Sequence, residues 1–195
     1  MFDKLHIFLG ATVADAAARP LHWVYDKKKL NSYIKGKKNI AFFIQNRSPF
    51  YSIKTGEVSG YNDVGQVMFK TLANTINQKE VVKLFKKNIV KNFGPGSKYW
   101  KNLSLRKKYK KIKWKTAMKG PWIHQNILET IKNIKLKKTI TGGTKVNESD
   151  GYCASLPFYF SVNSDQKTKK IIRTVANGKI SEQFALAKLK IIDLA

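Results

Sequence analysis

The chain has 195 residues, 43% of them hydrophobic and 12% aromatic. That is enough apolar material for one folded domain, and it excludes wholesale disorder and a collagen-like fibre. A single cysteine excludes a disulfide framework and any all-cysteine zinc site. Thirty-eight basic residues against 12 acidic ones give a formal net charge of +26, which would attract nucleic acid, an anionic membrane or a polyphosphate. Only Arg19, Arg47, Arg106 and Arg173 among them are arginines, the residue that reads bases and phosphates with two parallel hydrogen bonds. A genome-wide bias toward lysine therefore competes with a selected basic surface.

Leu5, Phe8, Leu9, Thr12, Val13, Ala16 and Ala17 recur at helical spacing. They predict a first helix from Asp3 to Ala18 that stops before Pro20, because proline disfavours helix at the residue it follows. Gly10, Ala11, Ala14, Ala17 and Ala18 allow a close helical neighbour. Asp3, His6 and Asp15 interrupt what would otherwise resemble a signal peptide, so a cytoplasmic location is expected. No run of 18 uninterrupted apolar residues is present, and no membrane span is expected. Asp26 is a cap for a second helix, Lys27 to Ile34.

Residues 36–56 read as loop, with a short extended piece at 40–44. A third helix follows from Asn62 to Asn77, with Val64, Val67, Met68, Leu72 and Ile76 as its apolar stripe. A fourth runs from Lys79 to Asn92 and ends at Gly94, Pro95 and Gly96. Between Val81 and Leu128 there is no acidic residue. Within that span, 101–119 holds nine basic residues together with Tyr109 and Trp114. Such interleaving can grip phosphates and stack bases, but without a useful apolar stripe it reads as a solvated connection between helices. Further helices are expected at 122–134, 148–161, 165–177 and 181–194. Gly142 and Gly143 mark a loop without the Gly-Lys-Ser or Gly-Lys-Thr of a phosphate-binding turn. Helices throughout and no convincing strand make the fold class all-α.

Carboxylates are scarce enough to weigh singly. Asp15 lies on the small-residue face of the first helix, where a buried carboxylate must be paired or ligated. Asp63 opens the third helix, where it either caps the helix and opposes its dipole or offers oxygen to a hard cation such as magnesium. Asp150 presents the same choice. His22, between Leu21 and Trp23, reads as a hydrogen-bonded packing residue in preference to a base. His6 and His124 have no carboxylate partner indicated by the sequence. Cys153, in an apolar context, reads as a buried thiol. No Ser-His-Asp order and no His-Glu-x-x-His motif is present.

The run from Gly10 through Asp15 and Pro20 to Asp26 closely resembles the N-terminus of the J1-crystallin and selenoprotein J branch of the ADP-ribosylglycohydrolase superfamily. Pro49-Phe-Tyr, Gly56 and Ser59-Gly-Tyr61-Asn-Asp63 resemble the next block, Asp150 to Pro157 a third, and Ile172 through Ala187 the helices that follow. The resemblance implies an orthogonal all-helical bundle. It also implies that 1–195 form a single but incomplete domain, the N-terminal part only.

Active relatives hydrolyse bonds to ADP-ribose with a magnesium pair held by carboxylates. Their first cluster is Tyr-Thr-Asp-Asp-Thr, and Tyr61, Asn62, Asp63, Val64 and Gly65 stand at those positions. Only the tyrosine and one aspartate match, which leaves Asp63 as the sole expected metal ligand. The family's second aspartate cluster falls beyond residue 195. Octahedral magnesium wants six oxygens and some charge neutralisation, so the site is expected to be eroded. Asp15 and His22 (which stands where the hydrolases carry glutamate) are expected to line a ligand-binding cleft beside Asp63. No catalytic residue is assigned.

The expected function is that of a non-catalytic structural or ligand-binding relative. Its alternatives are a fragment of an active magnesium-dependent hydrolase and a basic nucleic-acid-binding protein. The expected partners are an ADP-ribose-like ligand and, through apolar faces left exposed by the shortened bundle, a second copy of the chain.

Overall fold

A computed structural model describes residues 4–38, 43–75, 77–108, 117–144, 149–162 and 164–193. The described residues form nine α-helices and two very short strands. Helix α1 (Lys4–Ala18) passes into a 3-10 turn (Arg19–Leu21) that contains Pro20. Helix α2 (Lys27–Ile34) has the expected bounds, and the Asp26 carboxylate accepts from the backbone N–H groups of Lys28 and Lys29. Helices α3 (Gly60–Leu72) and α4 (Gln78–Phe93) follow. Ser59 and Asn77 supply their capping oxygens.

Helix α5 (Lys98–Lys108) corrects the expected solvated connection. Tyr99, Asn102 and Leu103 are buried along one side of it, and that single helical turn is what draws the lysine-rich segment onto the core. Tyr109 and Trp114 lie outside the described residues, as does most of the extended piece expected at 40–44. Helices α6 (Gln125–Lys135), α7 (Asp150–Val162), α8 (Asp165–Val175) and α9 (Lys179–Asp193) complete the series. The all-α class holds. Strands β1 (Tyr51–Ser52) and β2 (Met118–Lys119) pair in parallel, with Tyr51 opposite Met118. They are too short to leave an alternating pattern in the sequence.

Helix α7 is the hub and packs against α3, α8, α9 and α1. The main core gathers Val64, Val67 and Met68 from α3, Phe85 and Ile89 from α4, Ile127 and Ile131 from α6, Phe158 from α7, and Ile171 and Val175 from α8. Pro157 sits inside α7 and cannot donate to the carbonyl of Cys153 one turn back. Helix α3 crosses at that point through Gly65, where an added Cβ would lie 3.0 Å from the Cys153 carbonyl oxygen. The missing side chain at Gly65 thus serves a close crossing of α3 with α7. No helix among the described residues is long and apolar enough to cross a membrane.

Candidate functional site

The N-terminus of α3 collects most of the polar side chains singled out in the sequence. Asp15, projecting from α1, accepts from the Ser59 backbone N–H and from the Ser59 hydroxyl, both at 2.6 Å. Ser59 in turn caps α3 by accepting from the Tyr61 N–H. Asp15 therefore fixes the cap, and the cap fixes the start of the helix. Burial raises the Asp15 pKa above the ordinary carboxylate value; the two Ser59 hydrogen bonds oppose the shift, and the nearby Asp63 charge adds to it. Asn62, in the first turn of α3, accepts from the Gln66 amide at 2.9 Å and donates to the Thr12 hydroxyl at 3.0 Å.

Asp63 is placed in the first turn of α3 but does not cap it. Its carboxylate accepts a short hydrogen bond from the Tyr99 hydroxyl and lies 3.4 Å from the Lys98 ammonium. Helix α5, unseen in the sequence, supplies both partners. A small cleft of about 150 Å³ opens beside Asp15, Tyr61, Asn62 and Cys153. Neither His22 nor Asp63 lines it. The Cys153 thiol is pushed up by burial, with the Asp150 charge as a further cause, so it stays protonated.

His22 contacts the Tyr51 hydroxyl through Nδ1 at 2.8 Å and packs against the Trp23 and Tyr61 rings. Burial, then the positive charges of His124 and Arg19, lower its pKa to about 4. Trp23 adopts φ 63°, a left-handed conformation that costs a bulky residue energy. Edge-to-face contacts with Phe50, Tyr51 and Trp122, at ring separations of 5.4 to 5.7 Å, hold it there.

The lowered His22 value has a consequence for stability. The unfolded histidine takes up its proton near pH 6.5, whereas the folded one resists until about pH 4. Stability from this group is therefore full above pH 6.5 and is lost as the pH falls toward 4. Between pH 7 and pH 5 the urea midpoint is expected to drop in the parent protein and to drop less in His22→Asn. Parallel pH profiles for the two would contradict this.

Reading the sequence alone leaves His124 without a carboxylate partner, and the structure corrects that. His124 Nδ1 lies 2.7 Å from Asp150 Oδ1, with the side chains 2% and 0% exposed. The His124 ring packs against Tyr61, tilted by 37°, at a centroid distance of 3.8 Å. Asp150 thus opens α7 as the buried partner of a histidine at the cap position of α6. Among the described residues no group of three or more His, Cys, Asp or Glu side chains is placed to hold a metal ion. The donor set around Asp63, one carboxylate already engaged by a hydroxyl and an ammonium, does not fit a magnesium pair.

The fold and site define an all-helical protein with a carboxylate-anchored cleft at the start of α3. Two proteins of Tripedalia cystophora match it along nearly its whole length. Crystallin J1A is 26% identical over 189 residues, and Crystallin J1B is 27% identical over 189 residues. Each match covers 95% of this chain and 55% of the relative, so the chain spans about half the length of the curated relatives it matches. These matches relate the chain to the J1-type crystallins. No family profile matches the chain, and no solved structure does.

Proposed function

We propose that this protein is a non-catalytic, J1-crystallin-like relative of the ADP-ribosylglycohydrolases, a structural or ligand-binding scaffold whose cation site has eroded. The observation that carries this proposal is the engagement of Asp63 by Tyr99 and Lys98. An ammonium 3.4 Å from the carboxylate supplies the positive charge that a bound cation would otherwise supply. The two positions after Asp63 support it too. Val64 is fully buried in the main core, and Gly65 is spent on the crossing with α7. Of the residues expected at a ligand site, Asp15 borders the cleft, while His22 belongs to the neighbouring aromatic cluster.

Titration calorimetry with ADP-ribose tests this. The heat is expected to be the same with and without magnesium, and Asp63→Ala is expected to leave it unchanged. Release of ADP-ribose from an ADP-ribosylated peptide, dependent on magnesium and lost in Asp63→Ala, would establish the alternative of an active hydrolase.

A further inference from the structure

The turn that follows α6 exposes two large aliphatic side chains inside a run of lysines. Residues 135–140 are all exposed. Leu136 is 58% exposed and Ile140 is 50% exposed. Lys132, Lys135, Lys137 and Lys138 flank Leu136 in the chain, and no acidic residue occurs between Glu129 and Glu148. Glu129 accepts from the Gln125 amide and the Thr144 N–H. A cavity of about 330 Å³ brings Ile140 together with Lys86 of α4 and with Lys170 and Arg173 of α8. Arg173 is paired with Glu182. Among the described residues, no carboxylate forms an ion pair with Lys86, Lys132, Lys137, Lys138 or Lys170.

The turn is braced from both ends. The N–H groups of Leu136, Lys137 and Lys138 donate to the carbonyls of Lys132, Ile134 and Asn133, each at 3.0 Å. The Asn133 amide donates to the Thr141 carbonyl at 3.1 Å, and the Lys86 ammonium donates to the Thr139 carbonyl at 3.3 Å. Lys137 adopts φ 54°, the left-handed conformation that ends helices. The exposed aliphatics are therefore held in place, and little backbone freedom is lost when a surface closes over them.

Chemistry selects that surface. Aliphatic tips among ammonium groups match the boundary of an anionic bilayer, where leucine and isoleucine enter the acyl edge and lysines stay with the headgroup phosphates. A nucleic acid is gripped by arginine and by stacked aromatic rings, and the run 132–141 contains neither. A second copy of the chain brings the same positive charge and is repelled. The other exposed aliphatics, Leu9 and Val13, lie on a helix with no lysine after Lys4, so they lack the charge half of the pattern.

We propose that the Leu136–Ile140 turn, with the cations beside it, docks this protein on the surface of an anionic membrane. The contact lies at the headgroup level, and no helix among the described residues is long and apolar enough to cross the bilayer. It does not depend on the cation site at α3. Two forces act together in it, insertion of the aliphatic pair and attraction of the lysines, and each can be removed separately.

Co-sedimentation of the nuclease-treated full chain with vesicles tests the proposal. Binding is expected to vesicles of equal parts phosphatidylserine and phosphatidylcholine, to weaken as salt rises, and to be absent with phosphatidylcholine alone. Leu136→Gln with Ile140→Gln is expected to weaken it by roughly tenfold. Leu9→Gln with Val13→Gln removes exposed aliphatics elsewhere and is expected to leave it unchanged. Lys132→Gln with Lys138→Gln is expected to weaken it by about fivefold for each charge removed. Lys28→Gln with Lys29→Gln, on α2, is expected to have a smaller effect. Every pair is exposed, so the melting temperatures should match that of the parent, and a loss of binding then reads the contact itself. A folded parent that ignores the anionic vesicles, equal binding to phosphatidylcholine alone, or equal weakening by the α1 or α2 pair would overturn the proposal. So would a Leu136, Ile140 variant that keeps its vesicle binding but loses binding to a single-stranded oligonucleotide, which would assign the turn to nucleic acid.

Discussion

Replacing Arg19 with alanine is expected to destabilise the protein by about 2–4 kcal/mol, the cost of lost hydrogen bonds and a residual gap. The melting temperature is expected to fall accordingly, and the loop from Phe43 to Val58 should become open to proteolysis. Arg19 is 1% exposed. Its guanidinium donates to the Glu57 carbonyl at 3.0 Å, to Asn46 Oδ1 at 2.8 Å and to the Lys54 carbonyl at 3.0 Å. Asn46 in turn donates to the Tyr51 carbonyl at 3.2 Å. One side chain therefore ties the end of α1 to the loop that leads through β1 to the cap of α3. Removing it leaves three acceptors without their donor and a gap behind them. Arg19→Lys is expected to recover little, because an ammonium on a flexible stem cannot span three acceptors held in a planar fork. A lysine variant as stable as the parent in urea would show that the charge alone matters, and that the fork geometry does not.

The acceptors on Arg19 explain why this clamp could not be read from the residue string. Two of the three are backbone carbonyls, and the third is an amide 27 positions away. Nothing in residue type marks them. Local features were legible because their causes are local: Asp26 capping α2, the stop before Pro20, and the Val64, Val67 and Met68 stripe of α3 all act within one or two helical turns. Helix α5 escaped because its apolar side is a single turn long and is surrounded by lysines. Both partners of Asp63 come from that helix, so missing α5 also meant missing why this carboxylate is engaged. The Ser59 cap that holds Asp15 at the start of α3 was not legible, because it joins residues 44 positions apart. The parallel pairing of Tyr51 with Met118 closes a long gap in sequence with only two residues on each side, too few to carry a period.

Asp150→Ala is expected to cost a further 3–5 kcal/mol in its own right, the cost of breaking a buried pair from one side. His124 Nδ1 would lose the acceptor it meets at 2.7 Å, at a position only 2% exposed, where water cannot readily replace it. The helix would also lose the acid in its first turn, which opposes the α7 dipole. Among the described residues Asp150 Oδ2 has no hydrogen-bond partner, and it is shielded from solvent, so the pair already stands at a disadvantage against a well-packed apolar substitute. That asymmetry gives a sharper test than the single substitution. His124→Phe keeps a ring to pack against Tyr61, and Asp150→Leu fills a similar volume without a charge. The double variant is expected to be more stable than either single one, because each single change sets one buried polar group against an apolar substitute and the double replaces both members of the contact. Chemical denaturation of all four proteins reads the coupling directly. If the two changes simply add, His124 and Asp150 are stabilised by separate surroundings, and the junction of α6 with α7 does not depend on their contact.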